Sequence, residues 1–123
     1  MVKIKNSSKD AIKRIYNAFF YSVDGVKSMF ASEPAFRQDL GIFAIGAAIL
    51  FFVNVSRAEL AVMMLSLFLL LMAETVNTAI ETVIDRISTK IHPLSKKAKD
   101  IGSFLVLLAL VNLITVWGII LLF

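Results

Sequence analysis

The chain has 123 residues, enough for one small domain, and we expect residues 1–123 to form a single one. Apolar residues make up 59% of it, against roughly 45–50% in soluble domains, which favours a membrane protein over a water-soluble fold. The net charge of +4 is modest, and the lack of cysteine excludes disulfides and thiolate metal sites.

The N-terminal segment is predicted to form an amphipathic helix over residues 8–31. Its apolar residues recur at steps of three and four, whereas its lysines fall on other faces. A helix with a basic face and an aromatic-rich face commonly lies in the membrane interface, so we expect a surface helix. A soluble helix packed on a partner is the alternative.

Three apolar segments follow, and each is predicted to cross the membrane. The first covers about 34–53 and begins with a proline, which a helix tolerates in its first turn. The second covers about 58–87 and is roughly 45 Å long, so its polar end must protrude from a hydrocarbon core of about 30 Å. The third covers about 96–123, after a loop in which Pro93 is expected to break the helix. The sequence thus predicts an all-α membrane protein with one surface helix and three transmembrane helices.

The distribution of basic residues predicts the orientation of the chain. Of thirteen lysines and arginines, seven lie in the first forty residues and five lie between Arg86 and Lys99. Only Arg57 belongs to neither group. Because positively charged segments stay in the cytoplasm, we expect the surface helix and the loop near Pro93 to face the cytoplasm and the C-terminus to lie outside.

The second transmembrane helix carries a stripe of polar residues in its last turns. At about 100° per residue, four side chains fall within a quarter of the helix circumference. We call these four residues the polar stripe: Glu74, Asn77, Glu81 and Asp85. An ionisable residue at membrane depth costs at least about 2.5–3.5 kcal/mol unless it is paired or hydrated, so the stripe calls for an explanation.

Three explanations of the polar stripe are open on the residues alone. A purely structural helix interface or scaffold would bring three carboxylates together to repel one another. A small proton-coupled transporter using Glu74 would need a polar path, and residues 60–73 offer only Ser66. A metal and phosphate site fits best, since Mg²⁺ takes one or two carboxylates together with phosphate oxygens. The basic residues that favour this third explanation are Arg14, Arg37, Lys96, Lys97 and Lys99.

Three blocks of the sequence resemble those of prokaryotic diacylglycerol kinases. The polar stripe reads Glu, two residues, Asn, three residues, Glu, three residues, Asp, which is similar to that family's signature. The blocks EPAFRQD (33–39) and HPLSKKAKDIGS (92–103) resemble two further segments of the family, in the same order. The resemblance covers nearly the whole chain. It implies a homotrimeric lipid kinase of the bacterial cytoplasmic (inner) membrane with its active site facing the cytoplasm.

The resemblance also implies roles for individual residues. Glu74 matches a catalytic base that takes the proton from the lipid hydroxyl, and Asn77 matches a polar residue that supports this base. Glu33 and Glu81 match carboxylates that bind Mg²⁺ and ATP. The other matches are Arg14, Tyr21, Lys99 and Asp100 for ATP, Arg14, Gln38, Glu74 and Ser103 for the lipid substrate, and Asp85 as a supporting residue.

We therefore predict ATP- and Mg²⁺-dependent phosphorylation of a membrane lipid alcohol, with no nucleic-acid partner. Diacylglycerol, giving phosphatidic acid, is the expected acceptor. Undecaprenol is the alternative, because Phe104 and Leu105 stand where the family often has small residues. Asp39 replaces a common glutamate, and we expect it to matter less than the other acidic residues. Three helices cannot shield the polar stripe on every side, so an oligomer is expected, and the resemblance implies a trimer.

Two further residues are expected to have local structural roles. His92, the only histidine, precedes Pro93 and is expected to make a local contact rather than to bind a ligand. Trp117 is expected to serve as an aromatic anchor toward the outer membrane interface.

Overall fold

The computed structural model describes residues 8–123, and these residues form four α-helices without any strand. The predicted all-α class is therefore confirmed. In chain order the helices are α1 (Ser8–Ser32), α2 (Pro34–Leu50), α3 (Arg57–Ile87) and α4 (Pro93–Leu122). α1 belongs to one compact unit, and α2, α3 and α4 form the other, Glu33–Phe123. The single domain expected for the whole chain stays a prediction.

The helix boundaries lie within a few residues of those predicted. The ends of α1 and α3 agree to within one residue. α2 stops at Leu50 rather than near 53, and α4 begins at Pro93 rather than near 96. The prediction that Pro93 lies in the loop as a helix breaker is wrong, because proline in a first turn lacks only an N–H that would have had no partner there.

Side chains cap the starts of both long helices. The Ser56 hydroxyl accepts a hydrogen bond from the Glu59 N–H at 3.1 Å, and the Glu59 carboxylate accepts one from the Ser56 N–H at 3.3 Å. This capping box satisfies two donors at the start of α3. At the start of α4, His92 Nδ1 accepts a hydrogen bond from the Leu94 N–H at 3.1 Å, which confirms the expected local contact of His92.

Within residues 8–123, two helices are long and apolar enough to cross a membrane, namely α3 with 31 residues and α4 with 30. Many of their large apolar side chains face outward, as they would toward lipid or another subunit. α2 has 17 residues and is about 25 Å long, slightly less than a hydrocarbon core of about 30 Å. That α2 also crosses the membrane, in addition to α3 and α4, therefore stays a prediction.

α3 is the central helix of its unit and packs against both α2 and α4. Close approach of α2 depends on Gly46, since a Cβ atom at that position would lie 2.8 Å from Leu67 Cδ2. The buried core lies mainly between α3 and α4. Its residues are Leu67, Leu70, Ala73, Ala109 and Leu113.

A hydrogen-bonded group joins α3 to α4 inside this apolar region. Trp117 Nε1 donates to Ser66 Oγ at 3.0 Å, and Ser66 Oγ donates to the Met63 carbonyl at 2.5 Å. Ser66 is only 1% exposed, so its hydroxyl depends on these partners. Trp117, expected only as an interfacial anchor, is therefore also part of the contact between two helices.

Replacing Trp117 by phenylalanine is expected to lower the free energy of unfolding by about 0.6 kcal/mol, and by no more than about 1.7 kcal/mol, from the lost hydrogen bond. Unfolding in detergent, followed by circular dichroism, measures the change. Making the same substitution in the Ser66→Ala variant separates the effect of losing the hydrogen bond to Ser66 from the effect of the smaller ring. An equal loss with and without the Ser66 hydroxyl would show that the hydrogen bond contributes nothing.

Candidate active site

Glu74 is a carboxylate buried inside the unit formed by α2, α3 and α4. It is only 6% exposed, and its carboxyl group lies close enough to that of Asp39 on α2 to share a hydrogen bond. The Oδ2 atom of Asp39 is buried and has no hydrogen-bond partner among the described residues. Two adjacent ionised carboxylates repel each other strongly in such a site, so the pair is stable when one carries a proton or a cation lies nearby.

Two further carboxylates surround this pair. Glu33 occupies the N-cap position of α2, and Glu81 lies two turns beyond Glu74 on α3. Both are half-buried and near enough to act on Glu74 electrostatically. Among residues 8–123, no three acidic or histidine side chains converge closely enough to hold a metal ion by themselves. Glu33 and Glu81 therefore do not form a complete metal site with other side chains of the described residues.

Asn77 lies on the side of α3 that faces α4. It is 8% exposed, and its Oδ1 atom is buried without a hydrogen-bond partner. Gly102 of α4 lies directly against it, because a Cβ atom at position 102 would overlap Asn77 Oδ1. The polar stripe thus divides at its deep end, with Glu74 directed toward α2 and Asn77 toward α4.

Two exposed ion pairs lie where α3 ends and α4 begins. Lys99 Nζ lies 2.8 Å from Asp85 Oδ1, and Lys96 Nζ lies 2.5 Å from Asp100 Oδ2. Exposed pairs of this kind contribute only about 0–1 kcal/mol each, so an anionic ligand can compete for the lysines. Both pairs line a cavity of about 420 Å³ between the helix ends and the connecting loop. That volume lies within the range of about 300–1,000 Å³ typical of small-molecule sites.

Four further predicted site residues have exposed side chains. Gln38 on α2 and Ser103 on α4 are exposed in the second unit. Arg14 and Tyr21 are exposed on α1, which belongs to the other unit. The structure therefore places Glu33 and Glu81 within electrostatic range of Glu74, and the roles of all the predicted site residues stay predictions.

The contact of Asp39 with Glu74 and the contact of Gly102 with Asn77 were not predicted from the sequence. A signal for Asp39 was present, since an ionisable residue directly before an apolar run is expected near membrane depth. Gly102 carries no such signal. Gly102 contacts Asn77 because of the side that α4 turns toward α3. A single sequence does not give the rotation of one helix against another.

Comparisons with known proteins identify the family. The sequence model described as prokaryotic diacylglycerol kinase matches residues 20–121. The chain is 42% identical over 111 residues to the diacylglycerol kinase of Pseudomonas aeruginosa, covering 90% of each chain. It is 40% identical over 112 residues to that of Haemophilus influenzae, covering 91% of this chain and 95% of the relative. It is 35% identical over 108 residues to that of Escherichia coli, covering 88% of each.

The family match makes the chain a transferase, and two of its helices are long and apolar enough to cross a membrane. The chain belongs to the prokaryotic diacylglycerol kinase family. It is therefore a lipid kinase, and the resemblance found in the three sequence blocks is confirmed.

Proposed function

We propose that the enzyme transfers the γ-phosphoryl group of MgATP to diacylglycerol, giving phosphatidic acid and ADP. The observation that supports this best is the buried Glu74 carboxylate, which has further acidic groups around it. The relatives named diacylglycerol kinase support the same acceptor. The proposal explains why an ionisable group is retained inside an apolar helix unit.

Glu74 is proposed to act as the general base. Its carboxylate takes the proton of the lipid hydroxyl while the hydroxyl oxygen bonds to the γ-phosphorus, and the bond from that phosphorus to the bridging oxygen of ADP breaks. Asp39 restrains the Glu74 carboxylate from α2, and Asn77, three residues further along α3, supplies a polar neighbour on the side that faces α4. Helix packing thus fixes the orientation of the base before the substrate arrives.

Glu33 and Glu81 are proposed to hold Mg²⁺. Their hard oxygen ligands suit this ion and leave coordination positions for phosphate oxygens and water. When bound, Mg²⁺ would neutralise negative charge on the phosphate groups. Glu81 lies about 10 Å along α3 from Glu74, toward the polar end of the helix. This separation lets the base meet a hydroxyl held in the bilayer while the nucleotide approaches from water.

The cavity between α3 and α4 is proposed to hold part of the nucleotide. Lys99 and Asp100, predicted to contact ATP, both line it, as do Lys96 and Asp85. In the absence of ATP the two lysines are paired with the two aspartates. Binding of phosphate groups would exchange these exposed pairs for contacts with a more highly charged ligand.

Replacing Lys99 by glutamine is expected to raise the KM for ATP about tenfold or more, since a hydrogen bond to a charged group contributes about 1.5–3 kcal/mol. The effect on kcat should be smaller. Steady-state rates at varied ATP concentration measure both constants. Lys97→Gln is the matched control, because Lys97 is exposed on the same helix and does not line the cavity. An unchanged KM in the Lys99 variant would remove Lys99 from the nucleotide site.

We propose the same membrane arrangement that the sequence predicts. α2, α3 and α4 cross the cytoplasmic membrane of the bacterium, the active site faces the cytoplasm, and three copies form a trimer. The distribution of basic residues supports the orientation, and the many outward-facing apolar side chains of α3 and α4 support burial in lipid or against other subunits. The whole chain then acts as a single kinase domain.

A transfer assay tests the proposed activity. Purified protein in mixed micelles receives Mg²⁺, ATP labelled at the γ-phosphate, and either diacylglycerol or undecaprenol. Label in phosphatidic acid supports the proposal, whereas label only in undecaprenyl phosphate would identify the alternative acceptor. Chelation of Mg²⁺ by EDTA should abolish the transfer. If neither lipid is labelled, the proposed function fails.

A proton-coupled transporter is less well supported by the structure. Ser66 is the only polar side chain in residues 60–73, and it is buried with its hydroxyl bonded to Met63 and Trp117. A proton path from Glu74 toward Arg57 would need further polar groups along this stretch of α3.

A further inference from the structure

Gly102 leaves a space on α4 that the side chain of Asn77 fills. A Cβ atom at position 102 would overlap Asn77 Oδ1, and it would lie 3.3 Å from Asn77 Cγ and 3.7 Å from Ile80 Cδ1. Glycine inside a helix is less favourable than alanine. The close contact with Asn77 gives a reason for accepting this cost inside α4.

Packing rather than hydrogen bonding holds the Asn77 amide oxygen in place. Asn77 is 8% exposed, and its Oδ1 atom has no hydrogen-bond partner among the described residues. A buried polar atom without a partner lowers the stability of the folded protein, so stability alone does not favour this arrangement. A polar group held at such a cost, three residues from the proposed base Glu74, is suited to a role in the reaction.

We propose that Gly102 is a positioning residue of the active site. By lacking a side chain, it admits the Asn77 amide between α3 and α4 and keeps the amide oxygen beside the polar stripe. A methyl group at position 102 would displace the amide and change the polar surroundings in which Glu74 accepts a proton. This inference rests on the proposed function, because it assigns Gly102 an effect on the same reaction.

Gly102→Ala tests the inference, with Gly118→Ala as its matched control. Gly118 lies on the same helix, and a Cβ atom there would meet no atom within 4 Å. Both substitutions raise helix propensity equally. We expect Gly102→Ala to lower kcat at least about tenfold with little change in the KM for ATP, the equivalent of about 1.4 kcal/mol in the barrier. Gly118→Ala should leave both constants unchanged.

A double-mutant cycle with Asn77→Ala tests whether the effect passes through the amide. Once the amide is absent, a methyl group at position 102 has nothing to displace, so the double variant should have the kcat of Asn77→Ala alone. Its melting temperature should exceed that of Asn77→Ala only by the gain in helix propensity that Gly118→Ala gives the wild type. Normal kcat in Gly102→Ala, or a further independent loss in the double variant, would overturn the inference. If Gly102→Ala alone does not fold, the double variant should fold, and its failure to fold would overturn the inference as well.

The cycle also separates this inference from the proposed function. Melting temperatures report the contact between positions 77 and 102 without any assay of activity. A wild-type protein that phosphorylates no lipid would refute the proposed function while the coupling in melting temperature persists. Coupling in melting temperature with a normal kcat in Gly102→Ala would refute only the positioning role.

Discussion

Replacing Glu74 by glutamine is expected to lower the kcat of lipid phosphorylation about 10²- to 10⁴-fold, the usual contribution of a general base. Glutamine has nearly the same size and can still form a hydrogen bond with Asp39, so the packing of α3 against α2 should persist. It cannot take the proton from the lipid hydroxyl. Initial rates in mixed micelles measure the loss, and circular dichroism and the melting temperature show whether the fold is retained.

Glu59→Gln provides the matched control for this experiment. It makes the same substitution in the same helix, and glutamine can replace glutamate in the capping box at the start of α3. Its kcat should equal that of the wild type. If Glu74→Gln also retained full activity while remaining folded, Glu74 would not be the base, and the reason for its burial would have to be sought elsewhere.

The second large effect is expected at Glu81. Glu81→Gln should raise the Mg²⁺ concentration needed for the half-maximal rate about tenfold or more, since interactions with a charged group contribute about 1.5–3 kcal/mol. The rate should also fall at saturating Mg²⁺, because a neutral amide oxygen is a weaker ligand than a carboxylate. A titration of the initial rate with Mg²⁺ at fixed ATP measures both changes.

Two variants make this titration specific for the metal. Glu81→Asp keeps the charge on a shorter side chain and should recover part of the affinity for Mg²⁺. Glu59→Gln should titrate like the wild type. A Glu81→Gln variant with reduced kcat but an unchanged Mg²⁺ requirement would show that Glu81 acts on the reaction in some way other than metal binding.

The helices were largely predictable because their signals are local. Apolar periodicity, together with Pro34 at the start of α2, places them to within a few residues. The end of α2 was predicted too late because Phe51 and Phe52 continue the apolar composition after the helical backbone has ended. Composition follows the environment of a segment, whereas a helix end depends on backbone geometry.

Residue spacing by itself relates the side chains of the candidate site only where they share one helix. The spacing of the polar stripe places Glu74 and Asn77 on neighbouring positions of α3, but it does not show which helix each one faces. Their contacts with Asp39 and Gly102 depend on how α2 and α4 are rotated against α3. Such contacts join distant parts of the chain, and no local pattern specifies them.

The contact between Trp117 and Ser66 has a practical consequence. Trp117 is the only tryptophan in the sequence, and its indole N–H is bonded across the boundary between α3 and α4. The tryptophan fluorescence of the native protein therefore comes from one indole whose surroundings change when these two helices separate. Its emission spectrum offers a label-free signal for following the assembly of this helix pair in detergent or in lipid bilayers.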